Sequence, residues 1–140
     1  MKEMSSSHSI HAIGYHLVFC TKFRKPVLVN GLDVETKQIL AEVCSEYGWL
    51  LHSVEIMPDH VHLFVQCDHT TTPVDMVRTL KRISAVYLFT KWAHLKKSSF
   101  WGTGLWSRGA YYATVGSMTE GAVKKYIESQ RQISGKPESV

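Results

Sequence analysis

A hairpin signal in the middle of the chain sets the tightest limit on its fold. Residues 49–57 (WLLHSVEIM) and 60–67 (HVHLFVQC) have strand composition and are separated only by Pro58-Asp59, a dipeptide typical of tight turns. Two strands with so short a connection pair as antiparallel neighbours in one sheet. The remaining elements must therefore be arranged around an antiparallel strand pair.

Patterns on either side of the hairpin complete the order of elements. Apolar residues recur at helical spacing before it, where Gly48 marks a helix stop. A threonine N-cap before Pro73 opens a helix after it. The predicted elements are a strand over 11–21, a helix over 31–47, the two hairpin strands, a helix over 74–92, a loop over 96–106, a strand over 110–117 and a last helix over 121–132. This order predicts an α+β, ferredoxin-like β-α-β-β-α-β sandwich with an antiparallel sheet, followed by a C-terminal helix.

Length and composition favour one ordinary domain. The chain has 140 residues, 44% hydrophobic and 20% charged, which predicts a single domain over 11–133. We expect a flexible arm over 1–10 and a flexible tail over 134–140. Three cysteines without a C-x-x-C pair argue against a disulfide framework or a thiolate zinc site. The polar N-terminus is unlike a signal peptide, and no apolar run approaches the ~18 residues of a membrane span. We therefore expect a cytoplasmic protein.

Two histidines in the second hairpin strand are the first candidate site residues. Side chains alternate between faces along a strand, so His60 and His62 point the same way while Val61 and Leu63 point the other way. Histidine is the commonest metal ligand, but two ligands make an incomplete site. The pair is also compatible with two hydrogen-bonded histidines at a sheet surface. The other six histidines show no paired spacing, and we expect them to be ordinary.

The last predicted helix carries residues that complement the histidine pair. Tyr126 and Gln130 are four apart and share one helical face, with Lys124 and Lys125 directly before the tyrosine. A tyrosine hydroxyl becomes a useful nucleophile when cations lower its pKa and a metal polarises its target. Two histidines and an amide oxygen suit Mg²⁺ or Mn²⁺. An amphipathic helix with a half-buried tyrosine and solvated lysines explains the same pattern without chemistry.

Cations interleaved with aromatic residues suggest a nucleic acid partner. The net charge is +4, basic side chains cluster in the turn after the first strand and on the second helix, and Arg108 stands in the sequence among Trp101, Trp106, Tyr111 and Tyr112. Cations that neutralise phosphates beside rings that stack on bases are typical of single-strand binders. A solvated charged face beside core aromatic residues is the alternative. The candidate DNA-binding residues are Lys22, Arg24, Lys25, Arg78, Lys81, Arg82, Arg108, Lys124 and Lys125.

Taken together, four sequence blocks resemble one protein family. The chain is similar to the single-tyrosine transposases of the HUH superfamily, the IS200-like proteins of bacterial and archaeal insertion sequences. The blocks are YHLVFCTKFRKPVL (15–28), MPDHVHLFV (57–65), LWSRGAYYATVG (105–116) and VKKYIESQ (123–130), and they follow the order of the family. They span nearly the whole chain.

The resemblance implies a mechanism and a set of roles. His60 and His62 match the family's metal-binding pair, Gln130 its third ligand and Tyr126 its nucleophile, while Asp59 matches an acidic residue that we expect to support the site. It implies cleavage and rejoining of single-stranded DNA at element ends through a 5′-phosphotyrosine link, without a nucleotide cofactor. It also implies subterminal DNA hairpins as partners, a homodimer with a sheet continuous across the interface, and association with the nucleoid when acting on DNA.

One departure and two alternatives stand beside this hypothesis. Arg82 and Val86 occupy positions where many relatives have a glycine and a further basic residue, which affects the DNA contacts rather than the chemistry. A non-catalytic ferredoxin-like nucleic-acid-binding module leaves the histidine pair unexplained. A domesticated relative that processes hairpins without mobilising itself is compatible with the sequence. A small metal-dependent hydrolase that uses the histidines alone is disfavoured, because the chain has neither H-E-x-x-H nor a deaminase H-x-E with C-x-x-C.

Overall fold

The computed structural model describes residues 13–100 and 104–115, together with Lys125 and Glu128. Within these residues the chain forms four strands, two long helices and one short helix. The elements are β1 (Ile13–Cys20), a 3₁₀ turn (Lys22–Arg24), α1 (Leu32–Glu46), β2 (Leu50–Met57), β3 (His60–Cys67), α2 (Pro73–Lys91), α3 (Ala93–Ser98) and β4 (Tyr111–Val115). The predicted terminal arm and tail lie outside the described residues.

The strands form one antiparallel sheet in the order β2-β3-β1-β4. β1 pairs antiparallel with both β3 and β4, and β3 pairs antiparallel with β2. A central first strand beside the third, with the second and fourth at the edges, is the arrangement expected from a β-α-β-β-α-β order. The predicted α+β, ferredoxin-like sandwich is confirmed, whereas most of the predicted C-terminal helix lies outside the described residues.

Local signals in the sequence explain where the helices begin and end. The Thr72 side chain accepts a hydrogen bond from the Asp75 backbone N–H at 3.1 Å, and Pro73 occupies the first position of α2. Gly48 follows α1 with a φ of +75°, a conformation that glycine adopts at little cost. Both predicted boundaries are confirmed.

The short helix α3 corrects one prediction. A loop was expected from Lys96, yet Lys96 to Ser98 are helical. The reason is packing, because Leu95 and Phe100 on either side of the helix end are buried in the core. The glycines that indicated a loop come only after this anchored segment.

The hydrophobic core lies between the helices and one face of the sheet. It is built from Leu17 and Phe19 of β1, alternate residues of β3 and apolar residues of α1 and α2, such as Leu40 and Leu80. The opposite face of β3 carries His60 and His62. Among the residues described, no helix combines the length and the apolar character that crossing a membrane requires.

Candidate catalytic site

His60 and His62 lie on the sheet face opposite the core. Val61, between the two histidines, and Leu63, directly after them, are almost fully buried, whereas both imidazoles remain partly accessible to solvent. The two ring centroids are 4.9 Å apart. The shared face that strand alternation predicted is therefore present, with two imidazoles in contact.

Asp59 connects His60 to the turn that follows β1. Its Oδ1 lies 2.7 Å from His60 Nδ1, and its Oδ2 accepts a hydrogen bond from Arg24 Nε at 3.0 Å. Arg24 Nη2 also lies 3.0 Å from Oδ2 and forms an ion pair with it. Partial burial acts to raise the pKa of Asp59, but the hydrogen bonds from His60 and Arg24 bring the pKa below its usual value. The ionised carboxylate favours the His60 tautomer that is protonated at Nδ1, which leaves Nε2 with its lone pair.

His16 of β1 joins the pair, although sequence reasoning had treated it as ordinary. Its Nε2 is 3.4 Å from His62 Nδ1, and the two rings stack with centroids 5.5 Å apart. The rings of His16 and Tyr111 also meet edge to face, with their centroids 6.4 Å apart. No spacing in the sequence reveals this contact, since it depends on the register that pairs His16 with Phe64 across β1 and β3.

The environment keeps two of these imidazoles neutral. Burial and the neighbouring His62 lower the pKa of His16 to about 4. Burial, followed by repulsion from His60, lowers the pKa of His62, while Glu55 on β2 acts in the opposite direction. A neutral imidazole is the form that binds a metal ion, so the electrostatics of the cluster suit ligation.

The described residues do not form a complete metal site by themselves. Nowhere in residues 13–100 or 104–115 do three or more histidine, cysteine, aspartate or glutamate side chains form a group able to hold a metal ion. His60 and His62 have their Nδ1 atoms occupied by Asp59 and His16, so Nε2 is the nitrogen that each can offer. This donor set fits a divalent cation that takes a further ligand from elsewhere.

The basic turn after β1 borders this cluster. Cys20, the last residue of β1, pairs with His60, and the turn continues directly from it. Arg24 is held by Asp59, Lys25 is exposed, and Lys22 lies with Nζ 5.8 Å from the Phe23 ring centroid. Three of the candidate DNA-binding cations are therefore at the edge of the histidine cluster, and one of them, Arg24, is held by an ion pair.

The predicted basic stripe on α2 consists of residues in unlike environments. Lys81 donates hydrogen bonds to the carbonyls of Ser107 and Gly109, at 2.8 and 2.5 Å, and partial burial lowers its pKa. Arg78 pairs with Asp75 at 3.1 Å while remaining 70% exposed, and Arg82 is exposed. Lys81 thus holds the segment before β4 in place, and the two arginines are the accessible cations.

The remaining candidates lie near or beyond the limits of the description. Arg108, in the segment that Lys81 holds, is exposed, as is Lys125, which has helical conformation. Tyr126, Gln130 and Lys124 lie outside the described residues, so their predicted roles remain predictions.

Comparison with known protein families gives one consistent result. The family described as "Transposase IS200 like" matches residues 9–130. The chain is 36% identical over 121 residues to the ISDra2 transposase TnpA of Deinococcus radiodurans, with 86% of each chain covered. It is 26% identical over 128 residues to the transposase for insertion sequence element IS200 of Salmonella typhimurium, covering 91% of this chain and 83% of that protein.

Solved structures agree with the sequence relatives. A crystal structure of a Deinococcus radiodurans protein described as a transposase superposes with a TM-score of 0.69 at 35% identity, covering 85% of this chain and 91% of that one. A REP-associated tyrosine transposase bound to a REP hairpin superposes with a TM-score of 0.56 at 13% identity, covering 84% and 61%. The second likeness shows a shared fold.

Acidification is expected to destabilise the fold through His16. In the folded chain the pKa of His16 is about 4, below the ordinary value of 6.5. Between these two pH values the unfolded chain therefore binds a proton that the folded chain does not bind. This contribution to the free energy of unfolding is present above pH 6.5 and is lost as the pH falls towards 4. After allowance for solvent at a partly exposed ring, we expect a loss of about 1–2 kcal/mol. Urea unfolding at successive pH values measures it. His16→Asn, which does not titrate, should give a flatter profile. Equal slopes in the wild type and His16→Asn would contradict the assignment.

Lys81→Met is expected to destabilise the protein, in contrast to the same substitution of its neighbour Arg82 on α2. Methionine retains an apolar stem but leaves the Ser107 and Gly109 carbonyls without the ammonium. Hydrogen bonds from a charged donor suggest a loss of about 1–3 kcal/mol in the free energy of unfolding. The exposed Arg82→Met is the matched control and should change it by less than ~0.5 kcal/mol. Chemical denaturation of both variants decides between them, and equal stabilities would show that Lys81 does not secure this segment.

Proposed function

We propose, because the chain belongs to the IS200-like transposase family, that it cleaves and rejoins single-stranded DNA at the ends of an insertion sequence. Family membership makes the chain a DNA-processing enzyme of transposition and recombination. The observation that carries the finer proposal is the cluster of His60 and His62, whose Nδ1 atoms are taken by Asp59 and His16. Two imidazoles that each offer Nε2 on one open face suit the binding of a phosphodiester through a cation.

The proposal includes a divalent cation, Mg²⁺ or Mn²⁺, held by His60, His62 and Gln130. Such an ion, when bound, withdraws electron density from a phosphate oxygen and so favours nucleophilic attack on phosphorus. Asp59 orients His60, and Arg24 in turn neutralises and fixes Asp59. These contacts support the assignment of Asp59 as a residue that acts through His60.

Tyr126 is the proposed nucleophile. Its hydroxyl oxygen forms a bond to the scissile phosphorus while the bond from phosphorus to the 3′ oxygen breaks, and the leaving oxygen takes up a proton. The products are a 5′-phosphotyrosine link and a free 3′-OH, which rejoins strands by attacking another such link. The bond energy is kept in the covalent intermediate, so the reaction needs no nucleotide cofactor. Lys124 and Lys125 beside the tyrosine favour its ionised form.

The proposed partners are single-stranded DNA with subterminal hairpins and a second copy of the chain. The REP-associated tyrosine transposase of the same fold is bound to a REP hairpin, which supports a hairpin partner. Exposed cations support contact with phosphates, and the stronger candidates are those for which the described part of the chain provides no partner of the kind found for Arg24 and Lys81: Lys25, Arg82, Arg108 and Lys125. One nucleophilic tyrosine per chain supports a homodimer, because strand exchange needs two cuts.

A covalent adduct tests the chemistry. Wild-type protein incubated with single-stranded DNA from the ends of its element and Mg²⁺ or Mn²⁺ should give a protein–DNA adduct on denaturing gels. Tyr126→Phe should abolish the adduct, and His62→Ala should reduce cleavage by at least ~10²-fold with hairpin affinity largely unchanged. His94→Ala, at an exposed helical position, is the matched control and should retain wild-type cleavage. Wild-type cleavage by His62→Ala would contradict the proposed site, and binding without any adduct would favour a binding module.

Light scattering tests the proposed dimer. We expect a mass of about twice the 15.9 kDa of one chain at the concentrations used for cleavage. Mixing Tyr126→Phe with His62→Ala should also restore some cleavage if the tyrosine of one chain serves the histidines of the other. A monomeric mass under cleavage conditions would contradict the dimer.

A further inference from the structure

Phe23 has a conformation and a location that folding alone does not explain. It lies in the turn after β1 with φ and ψ of 61° and 14°, and Arg24 follows with a φ of 53°. Both values fall in the left-handed region, which a bulky aromatic residue rarely adopts. The Phe23 side chain is 63% exposed, so this backbone conformation is not compensated by burial of the ring.

The surrounding turn is held firmly by other residues. The fully buried Thr21 donates its hydroxyl to the Lys25 carbonyl at 2.8 Å, and its backbone N–H bonds to the Asp59 carbonyl at 2.9 Å. The Lys22 N–H bonds to the Leu105 carbonyl at 2.8 Å, and Arg24 is anchored to the Asp59 carboxylate. These contacts fix the backbone of the turn, on which Phe23 is exposed. Unfavourable backbone conformations maintained in this way cluster at functional sites.

The position of the ring links it to the candidate catalytic site. Phe23 comes three residues after Cys20, the strand partner of His60, and directly before Arg24, whose partner Asp59 bonds to His60. Lys22 and Lys25 are cations of the same turn, and Lys22 Nζ lies 5.8 Å from the ring centroid. An exposed aromatic face among cations offers stacking for a base and attraction for the adjoining phosphates.

We propose that Phe23 is a stacking platform for an unpaired DNA base next to the scissile phosphate. The inference rests on the proposed function, since it assigns one contact of the single-stranded substrate. Stacking on the ring would fix the strand relative to His60 and His62, which makes Phe23 a positioning residue. Because every base has an aromatic face, this contact tolerates any sequence. Charge favours DNA over a protein partner at this surface, because phosphates accompany each base while the turn carries cations.

The test separates the base contact from the phosphate contact. The affinity of the protein is measured for an oligothymidylate of about 12 nucleotides and for an oligomer of the same length with abasic residues throughout. This length lies within the range of ~4–16 nucleotides that single-strand sites cover. Phe23→Asn is the chosen variant, because asparagine tolerates the left-handed region and so preserves the turn. We expect Phe23→Asn to bind oligothymidylate about 5- to 50-fold more weakly, with abasic affinity unchanged and thermal stability no lower than in the wild type. Phe23→Trp should retain wild-type affinity for both oligomers.

Two controls keep the outcomes distinct. Val34→Asn alters a residue on α1 that is equally exposed, at 63%, and should leave both affinities unchanged. The proposal would be overturned if Phe23→Asn lost affinity equally for both oligomers, or lost none for either. A changed mass of this variant in light scattering would also overturn it, in favour of a contact between copies of the chain. If wild-type and Phe23→Asn proteins form the Tyr126 adduct equally well and show the same affinity for oligothymidylate, the stacking role alone fails. If the wild type neither forms an adduct nor binds either oligomer, the proposed function fails as well.

Discussion

The antiparallel pairing of β1 with β3 is the interaction that assembles the described part of the candidate site. It places His16 beside His62, and it ends with Cys20 opposite His60, so that the basic turn begins at the edge of the histidine cluster. The same strand pairs with β4 on its other side, which brings Tyr111 to His16. One sheet register therefore gathers side chains that lie far apart in the sequence, and a slip by one residue would turn half of them into the core.

The features predicted correctly from the sequence are those that depend on a few adjacent residues. Alternation placed His60 and His62 on one face, the Pro58-Asp59 dipeptide gave the hairpin, and Thr72 gave the start of α2, because each depends on a few adjacent residues. His16 could not be predicted in the same way, since its contact with His62 spans 46 residues and depends on register. The helical spacing that grouped Lys81 with Arg78 and Arg82 was likewise insufficient, because the carbonyls that Lys81 binds belong to a distant segment.

Positive charge in this chain serves two different purposes. Lys81 and Arg24 are held by oxygen atoms of the protein, and each fixes a segment next to the sheet: one the residues before β4, the other Asp59 beside His60. Arg82, Arg108 and Lys125 are exposed and remain accessible to a polyanion. The count of 16 lysine and arginine residues therefore overstates the number of cations that are free for DNA, and a single-residue scan should separate effects on stability from effects on affinity.

At the phosphate site that the proposed function requires, the pairing of Arg24 with Asp59 resolves an electrostatic conflict. A carboxylate is the best acceptor for fixing the tautomer of His60, but a negative charge beside the histidines would repel the DNA backbone. The guanidinium, held to the carboxylate at 3.0 Å, cancels that charge locally while leaving Oδ1 free to bond His60. The neutral state of His16 and His62 avoids the opposite problem, because protonated imidazoles would repel a divalent cation. Removing the Arg24 guanidinium alone should thus weaken phosphate binding more than the loss of one remote surface cation, since it also leaves Asp59 uncompensated.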